Sequence, residues 1–260
     1  MLLKNIPPIL VILFLLSCKT TVQVISVQSK NVKFDDYYVF ENDSIKITYD
    51  LWAHYGVTNF SIYNKLNKPL YIDWKKCSFI SNENKFDYYI DVERSEQISY
   101  YGSYLYRGWL GDVQSGKSAS TQTKIKPERI TFIPPKSFIY NSKFRIKPGH
   151  SYRMTNAIEE EVSISWKNSS SKKTKVKRIN LSQNTSKDIF RNFLTFSYSE
   201  KFDTEFYIDN NFWVSQVLEM SEKQFVGRKR FEGQKSSCPY NTANGFYIYV
   251  DSEPGYFFCN

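Results

Sequence analysis

The sequence predicts an all-β protein built as a sandwich of antiparallel sheets, and three observations carry that prediction. The 260 residues include 20 Tyr and 20 Phe against 10 Gly, a composition that with frequent Ile, Val and Thr favours strands over helices. Apolar residues alternate with a period of two in many short runs, and few segments keep a helical period. Clusters of Asn, Ser, Gly and Pro separate those runs at regular spacing, as in a meander of short strands folded into a sandwich.

The first segment is an address. Lys4 precedes an uninterrupted apolar run of eight residues, 9–16, far short of the about 20 needed to span a bilayer. Pro7-Pro8 in front of it would disturb a longer helix. Residues 1–17 therefore read as a cleaved export signal. The ending Leu15-Leu16-Ser17-Cys18 resembles the lipobox of bacterial lipoproteins. That resemblance implies that Cys18 is acylated and becomes the new amino terminus, fixing the protein outside the cytoplasm. Lys19 stands where an inner-membrane retention signal would place aspartate, and residues 19–23 lack an acidic cluster. By the same resemblance the outer membrane is expected, on its periplasmic face more than at the cell surface.

Residues 18–33 are expected to form the lipidated tether, with a short β-prone piece at 22–27. Residues 34–260 are expected to form one β-sandwich domain, since roughly 240 mature residues suffice for a single packed core. Within it, residues 44–51 place Ile45, Ile47 and Tyr49 on one face, and residues 57–63 do the same with Phe60 and Ile62. Turn chemistry at 64–69 leads to a strand at 70–74, and a turn at 81–84 separates strands at 77–80 and 86–92. Residues 94–127, first Tyr- and Gly-rich and then Ser-, Thr-, Gln- and Lys-rich, read as a long inserted loop or decorated hairpin. A strand at 129–133 is stopped by Pro134-Pro135. Further strands are expected at 138–146, 151–154, 162–166 and 176–181, with a polar hairpin tip or linker at 168–175. A short helix is expected at 185–191, then extra C-terminal strands at 193–198, 205–208 and 212–220.

Residues 41–47, 60–65 with 68–74, and 129–137 together resemble uncharacterised lipoproteins of the Bacteroidota and have the shape of immunoglobulin-like extracytoplasmic domains. The signature is Asn64-x-x-x-x-Pro69 at one strand end and Pro135-x-Ser137 at a later edge. The resemblance spans residues 35–225. It implies an immunoglobulin-like fold and an envelope location, and it carries no catalytic residue.

A net charge of +9, lowered by one when Lys4 leaves with the signal, suits either attraction to anionic head groups and lipopolysaccharide phosphates or a simple solvated surface. With Cys18 assigned to lipid, Cys77, Cys238 and Cys259 remain in an oxidising compartment. The economical pairing is Cys238 with Cys259, a loop closure of nominal value about 3 kcal/mol, leaving Cys77 as a buried thiol. Pairing of Cys77 with either of the others stays open.

Residues 111–118 satisfy G-x-x-x-x-G-K-[ST], yet a phosphate cradle needs a helix after the loop. Residues 119–127 are poor in helix formers and end in proline, so the segment is expected to be an exposed polar loop. His54 and His150 are the only histidines, and neither has a second ligand at metal-site spacing. No G-x-S-x-G elbow is present. The acidic runs Asp35-Asp36 and Glu159-Glu160-Glu161 are expected in solvated loops.

The best recognition candidates are Tyr100, Tyr101, Tyr104, Tyr106 and Trp109, beside Arg94 and Arg107. Such aromatics stack on sugars or anchor interfaces when exposed, and otherwise pack on the sandwich. Residues 172–178 and 228–230 are basic groups that suit lipid or glycan phosphate, or a solvated hairpin tip. The sequence thus predicts a lipid-anchored envelope protein acting as a non-catalytic binding or scaffold module. An envelope glycan or another envelope protein is the expected partner. No cofactor, metal, nucleotide or nucleic acid is expected. The alternative is an enzyme that processes envelope glycans or peptides with carboxylates the sequence does not single out.

Overall fold

The computed structural model describes residues 20–90, 94–108, 111–125, 128–147, 149–164, 172–226 and 240–250. In chain order the strands are β1 (Thr21–Ser29), β2 (Lys33–Phe34), β3 (Tyr38–Glu41), β4 (Ile45–Asp50), β5 (Val57–Asn64), β6 (Leu70–Asp73), β7 (Ser78–Ser81), β8 (Asn84–Asp87), β9 (Arg94–Gly108) and β10 (Gly111–Ile125). They continue with β11 (Ile130–Ile133), β12 (Phe138–Arg145), β13 (Ile158–Ile164), β14 (Lys172–Asn180), β15 (Ile189–Ser197), β16 (Glu205–Ser221) and β17 (Gly245–Val250). A 3-10 turn at Trp74–Lys76 and one short helix, α1 (Glu222–Val226), are the remaining regular elements among the described residues. The protein is an all-β sandwich, as its composition and alternation require.

The larger sheet runs β11-β6-β15-β16-β1-β17, with the β7–β8 pair added along β15 and the β13–β14 pair along β16. The smaller sheet runs β12-β5-β4-β3-β2, and β9 with β10 forms a separate two-stranded ribbon. All of these pairings are antiparallel. The 17-residue β16 is the spine. It pairs along one edge first with β15 and then with β14, and along the other with β1.

Alternation sets which face is inside. On β4 the buried residues are Ile45, Ile47 and Tyr49, and on β5 they are Thr58, Phe60, Ile62 and Asn64. Facing them across the sandwich are Phe190, Phe212 and Val214 of the larger sheet, in one cluster. Phe190 stacks on Phe212 at 5.1 Å and Tyr49 meets Phe212 edge-on at 5.1 Å, geometries that add to the area each ring buries. A second cluster of Val22, Val24, Val176, Met220, Phe225, Val226, Tyr247 and Tyr249 forms separately from the first.

That second cluster overturns the reading of residues 18–33 as a tether. Residues 21–29 are β1, an interior strand hydrogen-bonded to β16 on one side and β17 on the other. Val22 and Val24 enter the second cluster while Ile25 and Val27 enter the first, so the strand is buried on both faces. The β-prone piece expected at 22–27 is thus a full strand of the core. Buried Gln23 is satisfied: its Nε2 donates to Tyr152 O at 2.8 Å and Glu219 Oε2 at 2.9 Å, and its Oε1 accepts from Tyr152 N at 2.7 Å. The same bonds hold residues 151–154 in an irregular segment where a strand was expected.

Two more expectations change. Residues 185–191 are not helical: Ser182 and Thr185 close a local turn, Thr185 N donating to Ser182 O at 3.1 Å, and β15 begins at Ile189. The expected strands at 205–208 and 212–220 are one continuous β16, because Asn210 is buried in it instead of turning the chain. The likeness to immunoglobulin-like domains extends to packed antiparallel sheets. The ten-stranded larger sheet already exceeds the seven to nine strands of that fold.

The motif segments of the sequence meet in space. The Asn64 side-chain amide donates to Lys68 O at 2.9 Å and to Ile133 O and Pro134 O, each at 3.1 Å, while its Oδ1 accepts from Leu66 N at 3.0 Å. One buried asparagine thus ties the 64–69 turn to the proline-terminated edge.

Candidate functional site

The outward positions of the smaller sheet form three rows across three strands, of which Phe138, Tyr63 and Lys46 make one and the other two line a hollow. Ser142 of β12, Asn59 of β5 and Asp50 of β4 lie side by side, and next to them Tyr140, Ser61 and Thr48. Strand spacing makes each row about 10 Å across. These residues, with Tyr37, line a concavity of about 570 Å³. A second concavity of about 580 Å³ shares Tyr37 and Asp50 and adds Asp35, Asp36 and Thr242. Both volumes lie within the about 300–1,000 Å³ usual for small-ligand sites.

Local sequence explains the shape. The 35–37 segment loops outward between β2 and β3, leaving Tyr37 47% exposed at the junction of the two hollows. On β12, Phe138 and Tyr140 sit at alternate outward positions, 56% and 73% exposed, with their rings edge-on at 5.0 Å. Asp50 Oδ1 accepts from Trp52 N at 3.1 Å, which fixes the carboxylate and leaves Oδ2 without a protein partner among the described residues. The side chains of Thr48, Asn59, Ser61 and Ser142 likewise make no hydrogen bond to described residues. Among the described residues the first hollow is lined by the carboxylate of Asp50 and the second by those of Asp35, Asp36 and Asp50, and neither lining includes a lysine or arginine. The site is therefore acidic on a basic chain. It offers two exposed phenol rings flanking a field of hydroxyl, amide and carboxylate groups.

The expected candidates fall elsewhere. Cys18, Trp109, Cys238 and Cys259 lie outside the described residues, as does the basic group 228–230, and so do the anchor and the disulfide read into those cysteines. Tyr100, Tyr101, Tyr104 and Tyr106 belong to β9, where they pair in register with Ala119, Ser118, Ser115 and Val113 of β10. They are in a two-stranded ribbon that is not hydrogen-bonded into either sheet. Residues 111–118, expected as an exposed loop, are part of β10 with each residue paired to β9. An extended ladder does not curl its amides around a phosphate.

Charged runs pair with each other. Glu159, Glu160 and Glu161 lie on β13 opposite Lys177, Val176 and Lys175 of β14, where loops were expected. Arg178 is ion-paired with Glu160, and Lys177 Nζ lies 3.4 Å from Glu219 Oε1. Complementary cross-strand charges thus account for part of the 172–178 basic group that had suggested a phosphate surface.

Cys77 is fully buried, with Sγ 3.1 Å from Asp73 O and accepting from Thr195 N at 3.2 Å. Burial is the main cause that pushes its thiol up to about 12. His54 packs its ring at 4.0 Å from Tyr55 and 5.6 Å from Tyr247, and burial, with Arg145 adding, holds its pKa below the usual value. Among the described residues no helix is long and apolar enough to cross a membrane, and no three His, Cys, Asp or Glu side chains converge as a metal site.

Comparison with protein-family models, with curated proteins and with solved structures finds no match. The groove's residues had a faint signal in the sequence: residues 138–140 are apolar at both parities, whereas β4 alternates cleanly.

Proposed function

We propose that this chain is a lipid-anchored protein of the bacterial envelope, held at the outer membrane through Cys18, that acts as a non-catalytic binding module through the outward groove of its smaller sheet. The observation that carries the binding part is the pairing of exposed Tyr37 and Tyr140 with hydrogen-bonding side chains that have no protein partner among the described residues. A ring supplies a large rigid apolar face at small entropic cost, and polar groups with no internal partner exchange water for ligand without breaking a protein contact. The anchor part rests on the export signal that ends at Cys18. Two or more acyl chains make such attachment durable where one is reversible.

Two measurements test the proposal. Palmitate should label the wild type and not Cys18→Ala, and equal labelling removes the anchor. A photo-cross-linking residue at position 140 should form an adduct in intact cells. The same residue at Tyr207, 69% exposed on the larger sheet, should not. Equal yields at the two positions remove the groove as the binding surface.

A further inference from the structure

We infer that the groove takes an uncharged oligosaccharide, laid across β12, β5 and β4 with pyranose faces against Tyr37 and Tyr140. This rests on the binding reading above and deepens it. A pyranose ring presents one face of C–H groups and a rim of hydroxyls that both donate and accept. The groove supplies the complement of each. Tyr140 and Tyr37, 73% and 47% exposed, are the apolar platforms. The Ser142–Asn59–Asp50 row offers an amide that donates and accepts, a hydroxyl that does both, and a carboxylate that only accepts. Ser61 and Thr48 continue the same chemistry one row along.

Charge narrows the class. The chain is +9, and net charge alone would direct it to anionic glycans or phosphates. The groove and its adjoining hollow reverse that sign locally, with Asp50, Asp35 and Asp36 and no basic residue among the described lining residues, Lys46 standing one row beyond Thr48. A uronate or phosphate placed there would face Asp50, with Asp35 and Asp36 in the adjoining hollow and no lysine or arginine among the described lining residues, so polyanions are disfavoured where neutral sugars are not. The fixed Asp50, held through Oδ1 by Trp52 N at 3.1 Å, is already oriented to accept a hydroxyl without further ordering.

The test is titration of the full-length protein in detergent micelles with maltohexaose, cellohexaose and chitohexaose, and with a hexameric oligogalacturonate as the anionic probe. At least one neutral hexasaccharide should bind, with affinity unchanged between low and high sodium chloride because no ion pair forms. Tyr37→Ala and Tyr140→Ala should each weaken binding at least tenfold, Asp50→Asn about tenfold, and Tyr140→Phe little, all with unaltered melting temperatures. Binding of the galacturonate alone, or neutral binding untouched by the tyrosine variants, overturns the inference. If no saccharide binds while a cross-linker at position 140 still captures a partner in cells, the sugar fails and the binding module stands. If neither occurs, both fail.

Discussion

Tyr49 and Asn210 are joined across the sandwich by a 2.7 Å hydrogen bond in which the Asn210 amide donates to the Tyr49 hydroxyl. The Asn192 amide donates to the same hydroxyl at 3.1 Å, and Tyr88 closes the group by donating to Asn192 Oδ1 at 2.8 Å. All four residues are buried. This polar knot ties β4 to β15 and β16 inside an otherwise aromatic interior. Tyr49→Phe removes one acceptor and strands two buried amide donors. The expected loss is about 2–4 kcal/mol, a fall in Tm of roughly 5–15 °C. Pairing it with Asn210→Leu should restore part of that loss, and thermal unfolding of the three variants checks both statements.

Asn64 is a second buried polar anchor, and its amide faces three carbonyl oxygens. Asn64→Ala should cost about 2–4 kcal/mol. Asn64→Asp, nearly the same shape, should cost more, because a carboxylate has no proton to give those carbonyls. Chemical denaturation gives the order, and an aspartate variant as stable as wild type contradicts it.

The interior position of β1 predicts the effect of truncation. A chain beginning at Lys30 lacks the strand between β16 and β17 and leaves parts of both apolar clusters open. It should lose its dispersed NMR spectrum and its cooperative unfolding transition. A truncated chain that keeps both would restore the tether reading.

Cys77, with its thiol pushed up to about 12 by burial, has little thiolate at pH 8. Its alkylation in the native protein should be at least about 1,000-fold slower than after unfolding. Site-resolved mass spectrometry after iodoacetamide treatment reads this directly, and modification at equal rates in the two states would show an accessible thiol.

His54 sets a pH dependence. Its folded pKa lies below its unfolded value, mainly through burial, so folding favours the neutral ring. Above pH about 6.5 the ring is neutral in both states and costs nothing. As pH falls below that value the unfolded chain takes up a proton that the folded one refuses, and stability is lost until the lowered folded pKa is passed. His54→Phe keeps the ring stacking and removes this component. The difference between urea midpoints at pH 7.5 and pH 5.0 should be smaller in the variant, and an unchanged difference would sink the assignment.

Much of the smaller sheet was legible in the sequence. Residues 45–50 and 57–64 alternate, and alternation is a direct record of a strand with one wet face. Asn64, Pro69, Pro134 and Pro135 marked strand ends that the structure brings together through one side chain. Asn210 misled, since its turn preference yielded to a buried bond with Tyr49. The tether reading of residues 18–33 followed from their place after Cys18, and it failed because the polar Gln23 within the β-prone piece is satisfied inside the fold by Tyr152 and Glu219. The basic run on β14 looked like a binding surface until β13 supplied its carboxylates.

The chain by itself determined the all-β class and most strand positions, because these depend on residues near one another along the backbone. Tertiary structure alone decided that residues 21–29 are core, and that Tyr37, Asp50, Asn59 and Tyr140 share one groove. Those facts arise from pairing between distant strands, and register across a sheet is set by the burial of all its members together.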